Sequence, residues 1–211
     1  MGDSLQLGRR LVMRRSVMKT TLDHPPGDLW IFGYGSLMWR PGFDFVERAP
    51  ARLIGLHRAL CVYSFVHRGT PEKPGLVLGL DRGGACRGVA FRVPAKARAE
   101  TIDYLRAREQ VTKVYIETYR TITVLGTPER RVTGLVYCVD RGHAQYAGRL
   151  TLDHQLRLVR EGHGRSGINR DYVLATVEAL ESLGCYDHDL HLLAERLKSS
   201  HHPYAVPIEK Q

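Results

Sequence analysis

The chain is 211 residues long, which favours one domain large enough to build its own hydrophobic core. Hydrophobic residues make up 43% of it and charged residues 25%, a balance that excludes disordered, collagen-like and fibrous proteins. Arg, His or Gly interrupts the apolar runs well before the roughly 20 residues that a spanning helix needs, so we predict neither a membrane protein nor a membrane partner.

The net charge of +9 suits a nucleic-acid binder, a membrane-surface protein or an enzyme that acts on small anions. Five basic residues lie within residues 1–27, and the others are scattered without forming a dense basic stripe. We therefore expect no nucleic-acid partner, and the expectation of a small-molecule substrate comes from the motifs described below.

The four cysteines are widely separated and include no C-x-x-C pair; they are Cys61, Cys86, Cys138 and Cys185. This spacing fits neither a zinc site nor the disulfide framework of a small secreted protein. It indicates a reducing compartment, and we predict a cytoplasmic location.

The N-terminal stretch is basic, but its apolar centre, Leu11–Met13, is too short for the hydrophobic region of a signal peptide. An Arg-rich organelle transit peptide is one alternative, and a true start at Met13 or Met18 is another.

The domain boundaries follow from breaker residues. Pro25-Pro26-Gly27 would stop any helix, so residues 1–27 are predicted to form a flexible basic tail. The folded domain is predicted over residues 28–200, followed by a C-terminal tail over residues 201–211.

Strands dominate the first part of the domain, because short β-branched and aromatic runs alternate with turn residues. The predicted strands are Leu29–Phe32, Ala51–His57, Cys61–Val66, Leu76–Leu80, Gly88–Val93, Tyr119–Val124 and Val132–Val139. Two prolines make Gly69–Gly75 a loop, and Pro94 suits the first turn of a helix that runs to about Gln110.

In the last third the hydrophobic period becomes helical. The apolar stripes are Leu152/Leu156/Val159, Val173/Val177/Leu180 and Leu190/Leu193/Leu197. A block of strands with one inserted helix, followed by helices, predicts an α+β fold with a mostly antiparallel or barrel-like sheet.

The segment Ile31–Trp39 is unusual, because a predicted strand stops at two glycines, Gly33 and Gly35, that bracket Tyr34 and are followed by Ser36. Such a turn can present successive backbone N–H groups to a carboxylate or phosphate. The alternative is a tight structural turn, which the spacing alone slightly favours. The turn lacks the third glycine of a dinucleotide-binding fingerprint.

A second glycine set, Gly162–Gly167, has the G-x-G-x-x-G spacing, but a predicted helix precedes it where the dinucleotide motif requires a strand. We interpret it as a turn before a helix that starts at about Arg170, with Ser166 or Asn169 as the N-cap.

Glu109 shares a helix face with Ile102 and Leu105, at i, i+3 and i+7 spacing, so its carboxylate is predicted to point towards the core. Arg106 or Arg108 could neutralise it in a structural pair, which spacing alone favours. Alternatively it lines a cleft where burial raises its pKa and suits it to proton transfer.

Other catalytic constellations are not evident. His188 and His191 lack the Glu of the H-E-x-x-H zinc motif, so no metal site is predicted. Ser36 is not part of a G-x-S-x-G elbow, which argues against an acyl-enzyme nucleophile.

Several motifs in order resemble the ChaC-type γ-glutamylcyclotransferase family over roughly Trp30 to Leu197. They are Phe32–Trp39, Gly55-x-His57-Arg58-Ala59, Gly69-Thr70-x-x-x-Pro74-Gly75, Arg108-Glu109, Tyr115, Tyr146 and Ser166-Gly167-x-Asn169-x-x-Tyr172. The resemblance implies a mixed β-barrel flanked by helices. It also implies a lyase reaction in which glutathione gives 5-oxoproline and Cys-Gly.

The resemblance further implies roles for particular residues. The glutamyl carboxylate and amine would be held by a loop, Tyr34, Gly35, Ser36 and Leu37, whose floor is Ile31, Phe32 and Gly33. The essential Glu of the family corresponds to Glu109. Tyr146 would help close the pocket, Tyr115 would also bind substrate, and Gly69–Gly75 would be a mobile segment over it.

The chemistry agrees with this assignment, because the substrate supplies its own nucleophile, the α-amine, and the enzyme needs no cofactor or metal. It needs a clamp that folds the glutamyl group and one carboxylate that acts as base and then as acid. The alternatives are a cyclotransferase of other γ-glutamyl compounds and a non-catalytic protein that binds an anion or nucleic acid, for which the basic charge is the support.

Overall fold

A computed structural model describes residues 26–199, in which five strands close a barrel and four helices pack around it. The strands are β1 (Leu29–Gly33), β2 (Glu47–Ser64), β3 (Gly75–Val93), β4 (Tyr115–Val124) and β5 (Arg130–Val139). The helices are α1 (Arg98–Glu109), α2 (Leu152–Glu161), α3 (Asn169–Ser182) and α4 (His188–Ser199). The α+β class and the barrel are thereby confirmed.

The barrel has the strand order β1-β3-β2-β4-β5 and closes where β1 meets β5. That last pair is parallel, with Trp30 beside Gly134, and every other pair is antiparallel, so the barrel is mixed as expected. All five residues of β1 are buried. The strand therefore reads as a continuous apolar run, and the turn that follows it emerges from the centre of the fold.

The long strands β2 and β3 correct the prediction that four shorter strands occupy this region. Residues 51–57 and 61–66 belong largely to one strand, which is bulged between Ile54 and Leu56 and again between Ala59 and Val62. Gly55 adopts a positive φ of 86° at the first bulge, a conformation that glycine adopts at little cost. Gly55 therefore bends a continuous strand.

The helices follow the predicted stripes. Pro94 precedes α1 through a short 3₁₀ turn, Ala95–Ala97, and Ile102 and Leu105 are buried. The capping prediction for α3 is wrong, because Ile168 is the N-cap and Asn169 is the first helical residue. The Asn169 amide is engaged elsewhere: it accepts a hydrogen bond from Leu76 N–H (2.6 Å) and donates one to Leu76 O (2.7 Å), tying α3 to β3.

The predicted tails, residues 1–27 and 201–211, lie outside the described residues except for Pro26 and Gly27. Within residues 26–199 no helix is both long enough and apolar enough to cross a membrane. A two-residue hairpin, β6 (His163–Gly164) with β7 (Gly167–Ile168), joins α2 to α3. The glycine-rich segment therefore follows a helix, as the sequence predicted.

Candidate active site

A cavity of about 340 Å³ opens where the turn after β1 meets the end of α1 and the start of α3. Its wall combines aromatic and aliphatic side chains with one carboxylate and several cations. The polar members of the wall include Tyr34, Ser36, Arg40, Tyr63, Ser64, His67, Arg68, Tyr104, Arg108, Glu109, Thr112, Tyr115, Tyr137, Gln145, Ser166 and Tyr172.

The turn after β1 forms one side of this cavity. A 3₁₀ turn spans Ser36–Met38, closed by Met38 N–H donating to Gly35 O at 2.8 Å. Tyr34, Gly35, Ser36 and Leu37 all line the cavity. The first N–H groups of a helical turn have no acceptor within it, so this segment combines a compact turn with donors suited to a carboxylate.

Arg58 of β2 holds this turn from behind. Its side chain is 4% exposed, and Nε donates to Tyr34 O at 2.6 Å. Nη2 donates to Arg87 O at 2.6 Å, and Asp187 supplies a carboxylate at 3.5 Å. Arg58 does not line the cavity wall, so its contribution is to fix the backbone at Tyr34.

The Tyr34 hydroxyl donates to Tyr137 O, on the neighbouring strand β5, at 3.0 Å. Burial raises the pKa of Tyr34 well above its ordinary value, with smaller contributions from Tyr115 and Glu109. The phenol therefore stays protonated and acts as a fixed hydrogen-bond donor.

Glu109 ends α1 and brings its carboxylate to the cavity wall, with the side chain 20% exposed. Arg108 Nε lies 3.1 Å from Glu109 Oε1. Burial raises the pKa of Glu109 above its ordinary value, although Arg108 acts in the opposite direction. Both interpretations of the sequence thus apply: Glu109 has an arginine partner and also lines a cleft.

Arg108 connects the carboxylate to the turn. Its Nη2 donates to Ser36 Oγ at 2.9 Å, and Nη1 donates to Arg40 O at 2.7 Å. Further bonds reach Pro41 O (3.0 Å) and the Tyr104 hydroxyl (3.0 Å). One guanidinium therefore fixes the distance between α1 and the 36–41 segment.

Two tyrosines meet at Leu78 on β3. The Tyr115 hydroxyl donates to Leu78 O at 2.7 Å, and the Tyr172 hydroxyl accepts from Leu78 N–H at 3.2 Å. Burial raises the pKa of Tyr115 well above its ordinary value and raises that of Tyr172 to about 12. Both rings are therefore neutral walls of the cavity.

Tyr172 and Arg58 were not predicted as site residues. Tyr172 had a signal in the sequence, because it and Thr176 are polar residues at i, i+4 on the face of α3 that carries Val173 and Val177. Arg58 belonged to a family motif, but its contact with Tyr34 spans 24 positions and leaves no local pattern.

Some predicted site residues lie outside the cavity wall. Ile31, Phe32 and Gly33 are buried in β1, next to the turn that they precede. Tyr146 donates to Asp81 Oδ2 at 2.7 Å and pairs with Val62 in an isolated bridge. Among the described residues, the loop Gly69–Gly75 likewise contributes nothing to the wall.

Comparison with known proteins adds independent findings. The sequence profile of the family described as ChaC-like protein matches residues 29–200. The chain is 33% identical over 183 residues to the glutathione-specific γ-glutamylcyclotransferase of Escherichia coli K12, covering 85% of this chain and 78% of that protein. It is 32% identical to γ-glutamylcyclotransferase 2-3 of Arabidopsis thaliana, covering 81% and 88%.

Among solved structures, the fold resembles a yeast γ-glutamylcyclotransferase specific to glutathione. The TM-score is 0.76 at 23% identity, covering 84% of this chain and 100% of the yeast chain. At that identity the likeness concerns the fold.

Proposed function

The chain belongs to the ChaC-like protein family, and on that premise we propose that it is a γ-glutamylcyclotransferase that converts glutathione into 5-oxoproline and Cys-Gly. One observation carries the proposal beyond family membership. The turn Tyr34–Leu37 and the carboxylate of Glu109 line one cavity, and Arg108 bonds to both sides of it, at 2.9 Å to Ser36 and 3.1 Å to Glu109.

The reaction begins with the α-ammonium group of the substrate, which must lose a proton before its nitrogen can attack. Glu109 in its carboxylate form takes that proton. The amine then attacks the γ-carbonyl carbon, forming a C–N bond and a tetrahedral oxyanion. As the carbonyl re-forms and the C–N bond to cysteine breaks, Glu109 returns the proton to the departing nitrogen. The ring nitrogen then carries one proton more than an amide nitrogen, and solvent transfers that proton to the new amine of Cys-Gly.

The position of Glu109 suits both halves of this cycle. Burial raises its pKa, which narrows the gap between the carboxyl group and the amine that it must deprotonate. Arg108 limits that rise, so the carboxylate form is retained as a base. General acid–base catalysis by one group is worth about 10²–10⁴ in rate.

The turn would act by positioning. Backbone N–H groups of Gly35, Ser36 and Leu37 are donors for the glutamyl α-carboxylate, and they do not titrate. Arg58 and Arg108 hold this turn from two sides, so the glutamyl chain would be folded with its amine near its own γ-carbonyl. Pre-organisation of this kind replaces a covalent enzyme intermediate.

We propose that this reaction takes place in the cytoplasm, because the four thiols are free and glutathione is concentrated in reducing compartments. The substrate is a small peptide, which a cavity of about 340 Å³ can accommodate in large part.

The test is to incubate the purified protein with glutathione and to quantify 5-oxoproline and Cys-Gly, beside Glu109→Gln. We expect both products in equal amounts from the wild type and a rate about 10²–10⁴ lower for the variant. Circular dichroism of the variant controls for folding. Full activity of folded Glu109→Gln would overturn the mechanism, and an inactive wild type would overturn the function.

A further inference from the structure

Arg68 is a cation of the cavity wall without a carboxylate partner in the described part of the chain. Its side-chain contacts are with backbone and ring groups: Nη1 donates to Ile168 O at 3.0 Å, and the guanidinium lies over the Tyr172 ring, 5.4 Å from its centroid. Burial lowers the pKa of Arg68, an effect that Tyr172 and Asp171 oppose. A half-buried guanidinium in a cavity favours a bound anion as its partner.

We propose that Arg68 binds the C-terminal carboxylate of the peptide that leaves, and thereby selects γ-glutamyl peptides that end in a free carboxylate. This inference rests on the function proposed above and concerns the other end of the same substrate. The glutamyl end is assigned to the turn Tyr34–Leu37 and to Glu109, so Arg68 is available for the second carboxylate of the ligand.

The remaining cations of the wall are less suited to this role. Arg108 already donates to Ser36, Tyr104 and two backbone carbonyls, and its Nε faces Glu109. Arg40 is exposed, so solvent screens its charge. Burial lowers the pKa of His67, with Arg165 and Arg68 adding to the effect, so its ring is neutral at physiological pH. Arg68 alone combines charge, partial burial and free donors.

The backbone of Arg68 is held by glycines that allow close approach. A Cβ at Gly75 would lie 2.2 Å from Arg68 O, and one at Gly162 would lie 2.6 Å from it. A Cβ at Gly164 would lie 2.6 Å from Arg68 N. The glycine-rich segment that resembles a dinucleotide motif therefore serves to pack the chain against Arg68, and substitution at any of the three positions would displace its backbone.

The spacing between the turn Tyr34–Leu37, where the glutamyl end is assigned, and Arg68 suits a tripeptide. Tyr172 separates them: its ring lies beneath Arg68, and its hydroxyl is 3.3 Å from where a Cβ would stand on Gly35. Glu109 and Arg68 also both influence the pKa of Tyr172, in opposite directions. Because the Arg68 guanidinium lies over the face of this ring, a ligand that bridges the two ends has to cross roughly one tyrosine ring, which an extended chain of three residues, at most about 10 Å long, can do.

The experiment compares glutathione with glutathione amide, in which the glycine carboxylate is a neutral carboxamide. The ratio of kcat/KM for the two is measured in the wild type, in Arg68→Met and in Arg68→Lys. A hydrogen-bonded charge pair predicts that the wild type prefers glutathione by about 10- to 100-fold. In Arg68→Met the ratio should fall towards one through loss of activity on glutathione, and Arg68→Lys should restore part of it.

Arg165→Met is the matched control, because this exposed arginine is close enough to His67 to affect its pKa but does not line the cavity. Its substrate ratio should equal that of the wild type. An equal ratio in wild type and Arg68→Met would overturn the inference. If that equal ratio came with an equal loss of activity on both substrates, Arg68 would act at the glutamyl end.

Calorimetric binding of both ligands to Glu109→Gln, with and without Arg68→Met, tests the inference without turnover. A preference for the acid that depends on Arg68 supports it, and its absence overturns it. If the wild type shows this Arg68-dependent preference for glutathione in calorimetry but forms no product, the proposed reaction is overturned and the role of Arg68 is retained.

Discussion

Two glutamates pair with arginines of the same helix, α1, and the two pairs differ in how many donors reach the carboxylate and in how exposed it is. Glu117 of β4 receives Arg106 Nε and Nη2, both at 2.8 Å, and also the Tyr137 hydroxyl at 3.3 Å. Glu109 receives one contact from Arg108, at 3.1 Å. The Glu117 side chain is 5% exposed, against 20% for Glu109, yet the more buried carboxylate has the fuller set of donors.

The difference arises from what else each arginine binds. Arg106 directs a planar pair of N–H groups at one carboxylate, the geometry in which guanidinium and carboxylate bind most strongly. Arg108 directs its other donors at Ser36, Tyr104 and the backbone of the 40–41 segment. Its partner Glu109 therefore receives only one of the Arg108 donors, and burial raises the pKa of Glu109 even beside this cation. In the proposed mechanism, the number of donors, and not the presence of an arginine, distinguishes the structural carboxylate Glu117 from the proposed base Glu109.

The largest expected effect comes from removing each charge in turn. Glu109→Gln should lower kcat by about 10²–10⁴ with little change in stability. Glu117→Gln should do the reverse, lowering the free energy of unfolding by about 1–3 kcal/mol because Arg106 and Tyr137 lose a charged acceptor. Steady-state kinetics and urea denaturation of both variants measure the contrast. The contrast between the two carboxylates would be contradicted if Glu117→Gln were as inactive as Glu109→Gln and unfolded at the same urea concentration as the wild type.

A smaller effect concerns pH. Because the base must be unprotonated, the raised pKa of Glu109 predicts that kcat/KM falls on the acid side at a pH above the ordinary carboxyl value of about 4.3. Arg108→Gln removes the cation that lowers this pKa, so the acid limb should move to higher pH. The matched variant Arg106→Gln should leave the limb where it is. A limb that moves in Arg106→Gln and not in Arg108→Gln would reverse the assignment of the two carboxylates.

The sequence predicts that the Glu109 carboxylate points inward, but it does not predict which arginine pairs with it. The spacing of Ile102, Leu105 and Glu109 predicts an inward carboxylate, because helical periodicity is local. The spacing does not show whether Arg106 or Arg108 is the partner of Glu109. Arg106 instead pairs with Glu117, which lies later in the chain on strand β4. Competition for an arginine is settled in three dimensions.

Other parts of the site show the same difference between local patterns, which the sequence reveals, and long-range contacts, which it does not. The sequence predicts a turn at Tyr34 because its glycines and aromatic residue are contiguous, whereas Tyr172 contacts Leu78 across 94 positions. The glycines at 162 and 164 were correctly separated from a dinucleotide motif by the helix before them. Their contact with the backbone of Arg68 depends on the packing of the β6–β7 hairpin, which no local pattern predicts.

The smallest expected effect concerns the Tyr137 hydroxyl, which is the third donor to Glu117 after the two N–H groups of Arg106. Tyr137→Phe removes the hydroxyl that reaches Glu117 at 3.3 Å but keeps the backbone carbonyl that accepts from Tyr34. The remaining bidentate contact with Arg106 should hold Glu117, so we expect a loss of about 1 kcal/mol in the free energy of unfolding and no change in kcat/KM. Urea denaturation and glutathione kinetics measure both. A tenfold fall in kcat/KM at unchanged stability would mean that the Tyr137 hydroxyl belongs to the reacting side of the cavity, and that the two carboxylates are coupled through it.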